Sequence, residues 1–594
     1  MQPTTEILDR IMRNSRNNKE EIFTRLYRYM LRPDLYYLAY NKLYRNKGAS
    51  TKGVDDDTAD GFSDEKISKI IQSLSDETYT PKPVRREYIQ KRNSKKLRPL
   101  GLPTFTDKLV QEVLRMILEA IYEPTFSNFS HGFRPNRDCH TALKSLKMEF
   151  TGVSWFVEGD IKGCFDNIDH HVLVDIINSK IKDARLIKLI WKFLKAGYME
   201  DWKYNSTRSG CPQGVISPLL SNIYLNELDK FAEKTAKEFY KPRDRERTAE
   251  YSKITCKKDY AQKLLKTATG QKKSELLKKV KFLKSELHKV PCMSKTDKVM
   301  KYIRYADDFI VGVKGDKSDC ERIKQQFSDF ISKNLKMELS EEKTLITHSN
   351  QYARFLGYDV RVRREQKVKP NGKCLQRTLN GTVELNVPFA DKIMPFLFDK
   401  AIIKQTHDGE IEHIARKYLY RCTDLEIVDT YNSELRGICN YYGIASNFIS
   451  LNYFAYLMEY SCLKTLAGKH KTTSKQIRDK FPTGTGGWGI PYETAKGQKC
   501  RTFAKYTECK GSDSFNDVIV EYAIRHAGTK TTLEKRLAAQ VCELCGKTNT
   551  PLAMHHVNKV KTLKGKQQWE IVMIAKKRKT LAVCKDCHHK IHHP

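Results

Sequence analysis

No apolar run in this chain approaches the ~20 residues that a membrane-crossing helix requires, and no signal peptide opens it. The expectation is a protein that neither spans a membrane nor is exported. No internal repeat divides the sequence. The 16 cysteines do not form a disulfide scaffold: most stand singly, as reduced thiols do in cytosol. Negative charge is in short supply, with 71 acidic residues against 107 basic ones and a net charge of +36. A surplus of that size implies a polyanionic partner, most simply nucleic acid bound with steep salt dependence. An anionic membrane surface is the competing reading. The rest of the composition, 30% charged and 40% apolar over 594 residues, is globular and long enough for several domains at ~100–200 residues each.

Texture changes along the chain. Residues 1–50 are basic and helix-friendly. From about 80 the text mixes strand and helix, with helical apolar spacing in DKLVQEVLRMILEAI (107–121) and a strand in WFVEGDIKGCFDNI that ends at Asp160. Residues 233–298 are rich in Lys and Glu. Within them Leu276, Val280, Leu283, Leu287 and Val290 recur at steps of four and three, which predicts an amphipathic helix stopped by Pro291 in an inserted, solvated helical hairpin. Strands return at 301–314 and 355–363, and helices dominate from about 390 to 470. A Gly-rich break (TGTGGWG, 483–489) precedes a basic, aromatic segment and a cysteine module.

In KYIRYADDFIVGVK (301–314), Asp307 and Asp308 interrupt a run of β-branched and aromatic residues. A buried strand is a poor place for paired negative charge. Either the pair lies in a surface turn, or a divalent cation neutralises it. If the strand ending at Asp160 neighbours this one, three carboxylates converge at a sheet edge. Such a set binds two Mg²⁺ ions, which activate an attacking hydroxyl and stabilise a pyrophosphate leaving group. Spacing alone does not establish the convergence.

FVEGDIKGCFDNI and YADD resemble the first and third palm motifs of reverse transcriptases, and their order and surroundings are similar to group II intron-encoded proteins. RPLGLPT (98–104), HGFRPNRDCHTAL (131–143), PQG with SPLLSNIYLNELD (212–229), LSEEKT (339–344) and FLGYD (355–359) agree with that family in order. The resemblance implies that Asp160, Asp307 and Asp308 hold the metals, helped by the Ile161 carbonyl. It places the Phe165 ring under the sugar, where it clashes with a 2′-hydroxyl and selects deoxynucleotides; ordinary core packing is the alternative for that ring. Arg98 is the expected triphosphate clamp, Gln213 lies against the incoming nucleotide, and Lys343 neutralises charge or donates a proton near the leaving group. Surface salt bridges are the alternative for these three. One departure stands out. The family has three residues between PQG and SP, and this chain has two, Val215 and Ile216. A one-residue deletion entering a helix rotates the downstream residues by ~100° unless the loop absorbs it.

RGICNYYGIASN (436–447) resembles the maturase, or X, domain of the same family. The resemblance implies a helical thumb that grips intron RNA, with Arg436, Tyr441 and Tyr442 as RNA-binding residues. The basic and aromatic text of 484–530 corresponds to the family's DNA-binding region, and a solvated basic linker is the alternative there.

Cys542-x-x-Cys545 and Cys584-x-x-Cys587 suit a tetrahedral thiolate site for structural Zn²⁺. A zinc ribbon alone does not explain His555-His556 between the pairs, nor His588 and His592, which come after them at one-turn spacing. This set resembles an HNH endonuclease. By that resemblance His555, His588 and His592 are metal ligands for a divalent ion such as Mg²⁺. His556 is the general base, and the product is a nick that exposes a 3′-hydroxyl. The acidic residue common two places before the His pair is Ala553 here, and Lys579 stands where the Asn of HNH is expected.

The expected architecture is α+β and multidomain: a right-hand polymerase with a small zinc-bound ββα-metal nuclease. Its parts are a basic N-terminal extension (1–50), fingers and palm (51–385, insertion 233–298), a thumb/maturase domain (386–480), a DNA-binding region (481–535) and an HNH module (536–594). The resemblance implies a bacterial cytoplasmic protein that binds group II intron RNA, deoxynucleoside triphosphates and a double-stranded DNA target, with a homodimer compatible. The alternative function is an RNA-binding maturase whose polymerase is impaired by the short PQG loop. An RNA-dependent RNA polymerase is opposed by Phe165, YADD and the C-terminal module. A purely structural nucleic-acid binder leaves the carboxylates and histidines unexplained.

Overall fold

The computed structural model describes residues 4–593 apart from 91–96, 202, 208, 211–213, 243–246, 291, 294–296, 366–367, 372–373, 378–379, 484–486, 495–496 and 512–531. At its centre is a four-stranded antiparallel sheet in the order Val299–Tyr305, Asp308–Lys314, Trp155–Asp160, Ile346–His348. Consecutive side chains alternate between its faces, and each face has its own core. Val157, Tyr302, Phe309 and Val311 belong to one hydrophobic cluster; Phe156, Ile303 and Ile310 belong to the other. The sheet is therefore buried on both sides, which is why its strands read as nearly continuous apolar runs.

The first core holds the helices Phe105–Tyr122 and Ser217–Phe239. Phe105–Tyr122 is capped by Thr104, whose hydroxyl accepts from the Asp107 amide at 3.1 Å, and it is buried almost all round. The helices Thr4–Asn17 and Pro33–Leu43 pack on it, and Ser15 Oγ donates to the Ile121 carbonyl. The segment expected as an N-terminal extension is thus part of this first core. A second four-stranded sheet, ordered Leu97–Leu102, Val84–Gln90, Tyr198–Glu200, Lys203–Asn205, lies beside the catalytic cleft.

The insertion is a helical hairpin, Ala249–Leu265 against Gly270–Leu287, with Ala261, Val280 and Leu283 buried. Its second helix stops at Leu287, so Val290 falls beyond it, and Pro291 lies outside the described residues. Residues 233–239 complete the preceding helix instead of opening the insertion.

The second core joins the palm to a helical unit, Asp424–Tyr441, Leu451–His470 and Ser474–Lys480. The hairpin Gly489–Thr494/Gly497–Thr502 docks on that unit through Asn432, which donates to the Thr502 carbonyl and accepts from the Ala504 amide.

The C-terminal module contains two antiparallel strands, Leu552–His556 and Thr580–Cys584, followed by the helix Lys585–His592. A third strand comes from the other end of the chain: Phe62–Ser63 pairs with Met554 and Ala553. Met554, Leu581 and Met573 consequently share the core of Phe62, Tyr40 and Phe105. No helix among the described residues is long and apolar enough to cross a membrane.

Candidate functional sites

The strand pairing brings the three predicted carboxylates together. Asp160 and Asp308 are register partners across the two central strands, and Asp307 lies in the turn beside them, its carbonyl accepting from the Ile161 amide at 3.3 Å. Lys343 Nζ donates to Asp160 Oδ2 at 2.8 Å. Burial pushes the Asp307 carboxyl up, with the Asp160 charge adding to it. Burial likewise pushes Asp308 up to about 7, reinforced by a hydrogen bond with Asp160 and by the Asp307 charge. One lysine therefore leaves this set short of positive charge, and hard oxygen donors so crowded fit Mg²⁺.

Holding the turn is a buried hub that sequence reading missed. Arg304, fully buried, grips Asp229 with two bonds of 2.7 and 2.6 Å and donates to Ser130 Oγ and the Ala306 carbonyl, each at 2.8 Å. Ala306 has φ +56°, a conformation that non-glycine residues rarely adopt. The HGF loop supports it: the His131 amide donates to the Arg304 carbonyl, and Asn222 donates to the Gly132 carbonyl. A Cβ on Gly132 would lie 2.3 Å from the Ala306 nitrogen. The signal was in plain sight as HGFRPN and YIRYADD, but nothing in either says that they touch.

In front of the carboxylates lies a cavity of about 730 Å³ lined by Arg98, Phe133, Phe165, Val215, Asp160 and Lys343 among others. Arg98 reaches it from the strand Leu97–Leu102, and Phe165 packs edge-on against Phe133 at 5.9 Å. Gln213 lies outside the described residues. The shortened loop after it is closed. Gln111 Oε1 accepts from the Val215 amide at 2.9 Å, and the Gly214 amide donates to Ser217 Oγ at 3.0 Å. Ile216 is buried, and the helix after it turns Leu220, Ile223 and Tyr224 into the core. Its Asn222 and Asp229 meet Arg304, which ties this helix to the turn that carries Asp307.

Of the three residues expected at the RNA surface, Arg436 faces outward, 3.8 Å from Glu508. Tyr441 and Tyr442 are spent on the joint between palm and thumb. Their hydroxyls donate to the Leu356 and Gly357 carbonyls, and the Tyr441 carbonyl accepts from Tyr358 and His140. Exposed aromatics lie elsewhere: Tyr453 and Tyr456 are exposed along the helix Leu451–His470, followed by the half-buried Tyr460, with His413 edge-on to it.

The sulfurs of Cys542, Cys545, Cys584 and Cys587 lie within 4.8 Å of one another. Burial pushes the Cys542 thiol up, but amides of Cys545, Cys584 and Leu544 donating to it hold it down at about 7. Four free thiols in this arrangement suit Zn²⁺. Beside them, His555, His588 and His592 converge with Asp60, their donor atoms again within 4.8 Å. Asp60 was not anticipated. His556, next on the strand, points to the opposite side, as alternation requires. Its Nε2 donates to the Tyr44 carbonyl at 3.1 Å, and its Nδ1 accepts from Ser50 Oγ at 3.4 Å. The structure does not bring this expected general base into the histidine cluster, because strand geometry separates the neighbours.

Comparison with known proteins adds three family matches in chain order. Residues 89–360 match the model described as reverse transcriptase (RNA-dependent DNA polymerase). Residues 380–540 match type II intron maturase, and 542–588 match AI2M/AI1M-like HNH endonuclease. The chain is 35% identical to the uncharacterized 91 kDa protein in cob intron of Schizosaccharomyces pombe, over 98% of this chain and 72% of that one. It is 27% identical to nuclear intron maturase 1, mitochondrial, of Arabidopsis thaliana, over 43% of this chain and 40% of that one. Group II intron-encoded protein LtrA of Lactococcus lactis subsp. cremoris is 59% identical over the whole of both chains. With polymerase, maturase and nuclease parts in one chain, the protein belongs to the group II intron-encoded proteins, multifunctional enzymes that combine a reverse transcriptase with an HNH endonuclease.

Proposed function

We propose that this chain, in a bacterial cytoplasm, grips its intron RNA and assists its splicing, nicks one strand of a DNA target, and copies the RNA into DNA from the nicked end. The observation that carries the polymerase part is the register pairing of Asp160 with Asp308, with Asp160 and Asp307 lining a cavity large enough for a nucleotide. Asp160, Asp307, Asp308 and the Ile161 carbonyl would hold Mg²⁺, which when bound supplies activation of the primer hydroxyl and charge stabilisation of the departing pyrophosphate. Arg98 binds triphosphate oxygens. Phe165, braced by Phe133, excludes a ribose 2′-hydroxyl. Lys343 keeps Asp160 oriented and offers a proton towards the leaving group. As the primer oxygen bonds to the α-phosphorus, the bond to pyrophosphate breaks.

The four cysteines would hold structural Zn²⁺, and the histidine cluster a divalent ion for hydrolysis. The Tyr453–Tyr456–Tyr460 face and Arg436 give stacking and charge for RNA, and the basic hairpin 489–502 lies beside them for DNA.

The test is a coupled reaction of purified protein, intron RNA and end-labelled target DNA with deoxynucleotides. The expected product is new DNA covalently joined to the nicked strand, together with spliced RNA at low Mg²⁺. Nicking without joined product contradicts target-primed copying, and unassisted splicing contradicts the maturase role.

A further inference from the structure

The histidine cluster of the C-terminal module is completed by a residue near the other end of the chain. Asp60 Oδ2 lies 2.8 Å from His592 Nε2 and 3.0 Å from His588 Nε2, while Oδ1 lies 3.1 Å from His555 Nδ1. These contacts are not ordinary hydrogen bonds throughout. His555 is 4% exposed, yet neither of its ring nitrogens has a hydrogen-bond partner, and the buried Nε2 of His588 has none either. His592 Nε2 has the geometry of a hydrogen bond to Asp60 Oδ2, but the other donor atoms lie this close with no aligned proton between them, which is what a metal-ligand set leaves when its ion is removed. Four ligands around a tetrahedral ion with bonds of ~2.0–2.1 Å stand about 3.3 Å apart, close to the three distances from Asp60 to the histidines.

The carboxylate is also aimed. The His556 amide donates to Asp60 Oδ1 at 2.7 Å, and the pairing of Phe62–Ser63 with Met554 and Ala553 fixes the backbone next to it. Such outer bonds orient a ligating carboxylate. The edge of Trp569 covers His555 from another side, with ring centroids 4.9 Å apart.

We propose that Asp60 is the fourth ligand of the nuclease's divalent ion, so that the metal site is built jointly by the polymerase half and the C-terminal module. This rests on the reading of the module as a nuclease. It also accounts for Ala553: the acidic residue missing before the His pair is replaced by one from a different part of the fold, and Ala553 itself pairs with Ser63. An ion that takes more than four ligands, as Mg²⁺ does, would keep positions for water and the scissile phosphate beside Asp60.

The test uses the full-length protein with its cysteine site loaded with Zn²⁺, titrated with Co²⁺ in the absence of DNA. Binding at the histidine set is read from visible d–d absorption without thiolate charge-transfer bands. Wild type is expected to take one Co²⁺ at this set, and Asp60→Asn to bind it about 10–100-fold more weakly. An unchanged thiolate spectrum in a separate sample loaded with Co²⁺ at the cysteines controls for folding. Equal affinity in the two proteins overturns the role of Asp60 and leaves the histidine nuclease site standing. No binding by wild type overturns both.

Discussion

Asp160 and Asp308 sit opposite each other as register partners on adjacent antiparallel strands. That pairing converts two distant sequence motifs into one site, and the turn that delivers Asp307 beside them depends on a third motif, the HGF loop.

Gly132→Ala places a methyl group 2.3 Å from the Ala306 nitrogen, and backbone atoms on both sides leave little room to yield. The Asp307 turn moves. Displacements near 1 Å cost about a hundredfold in rate, so primer extension falls by about that factor. DNA nicking, assigned to the separate cluster of Asp60 and the histidines, stays within about twofold.

Asp229→Ala leaves the Arg304 guanidinium buried without its carboxylate. Breaking a buried pair in this way costs about 3–5 kcal/mol. Chemical denaturation of the polymerase part should show that loss. An effect below about 1 kcal/mol contradicts the view of Arg304 as the hub of the turn.

Phe165→Ala opens the space under the sugar. Ribonucleotide incorporation should rise relative to deoxynucleotide incorporation by at least about tenfold, measured as the ratio of kcat/KM values. An unchanged ratio means that Phe165 only packs against Phe133.

His131 gives a pH prediction that involves no catalytic group. Burial, and then the positive charges of Arg137, Arg134 and Arg304, push its pKa down to about 3 from the ordinary 6.5. Between those values the unfolded chain binds a proton that the folded one refuses. The stability His131 contributes is full above the ordinary value and is lost as pH falls towards about 3, at about 1.4 kcal/mol per unit. His131→Gln removes this component, so its stability should fall less steeply than that of wild type from about pH 6 to pH 4.

The cysteine pairs, the helical hairpin and the HxxxH helix were legible in the sequence because each is written in local spacing or periodicity, whereas the convergence of the carboxylates was legible only through the family resemblance. What escaped depends on pairings between distant segments. Phe62–Ser63 is a two-residue strand with no pattern of its own, yet it carries Asp60 to the histidines and ties the C-terminal module to the N-terminal part of the chain. Residues 1–50 look like a basic extension because their surface is basic; their buried stripe, Leu8, Met30, Tyr36 and Tyr40, is completed only by the helix Phe105–Tyr122. Tyr441 and Tyr442 suggested RNA contact by type and position. Their hydroxyls instead satisfy carbonyls of the FLGYD loop, a requirement visible only once the palm and thumb are joined.

Between PQG and SP stand only Val215 and Ile216, and Gln111 Oε1 accepts from the Val215 amide. Primer extension on an RNA template with deoxynucleotides and Mg²⁺ tests this most directly, run with wild type, Asp308→Ala and a variant carrying one Gly inserted after Gly214. Extension by wild type, abolished by Asp308→Ala, is the expected result, with the insertion giving no gain. No extension by wild type, restored by the inserted Gly, would contradict the closed loop and leave RNA binding as the surviving function of the polymerase half.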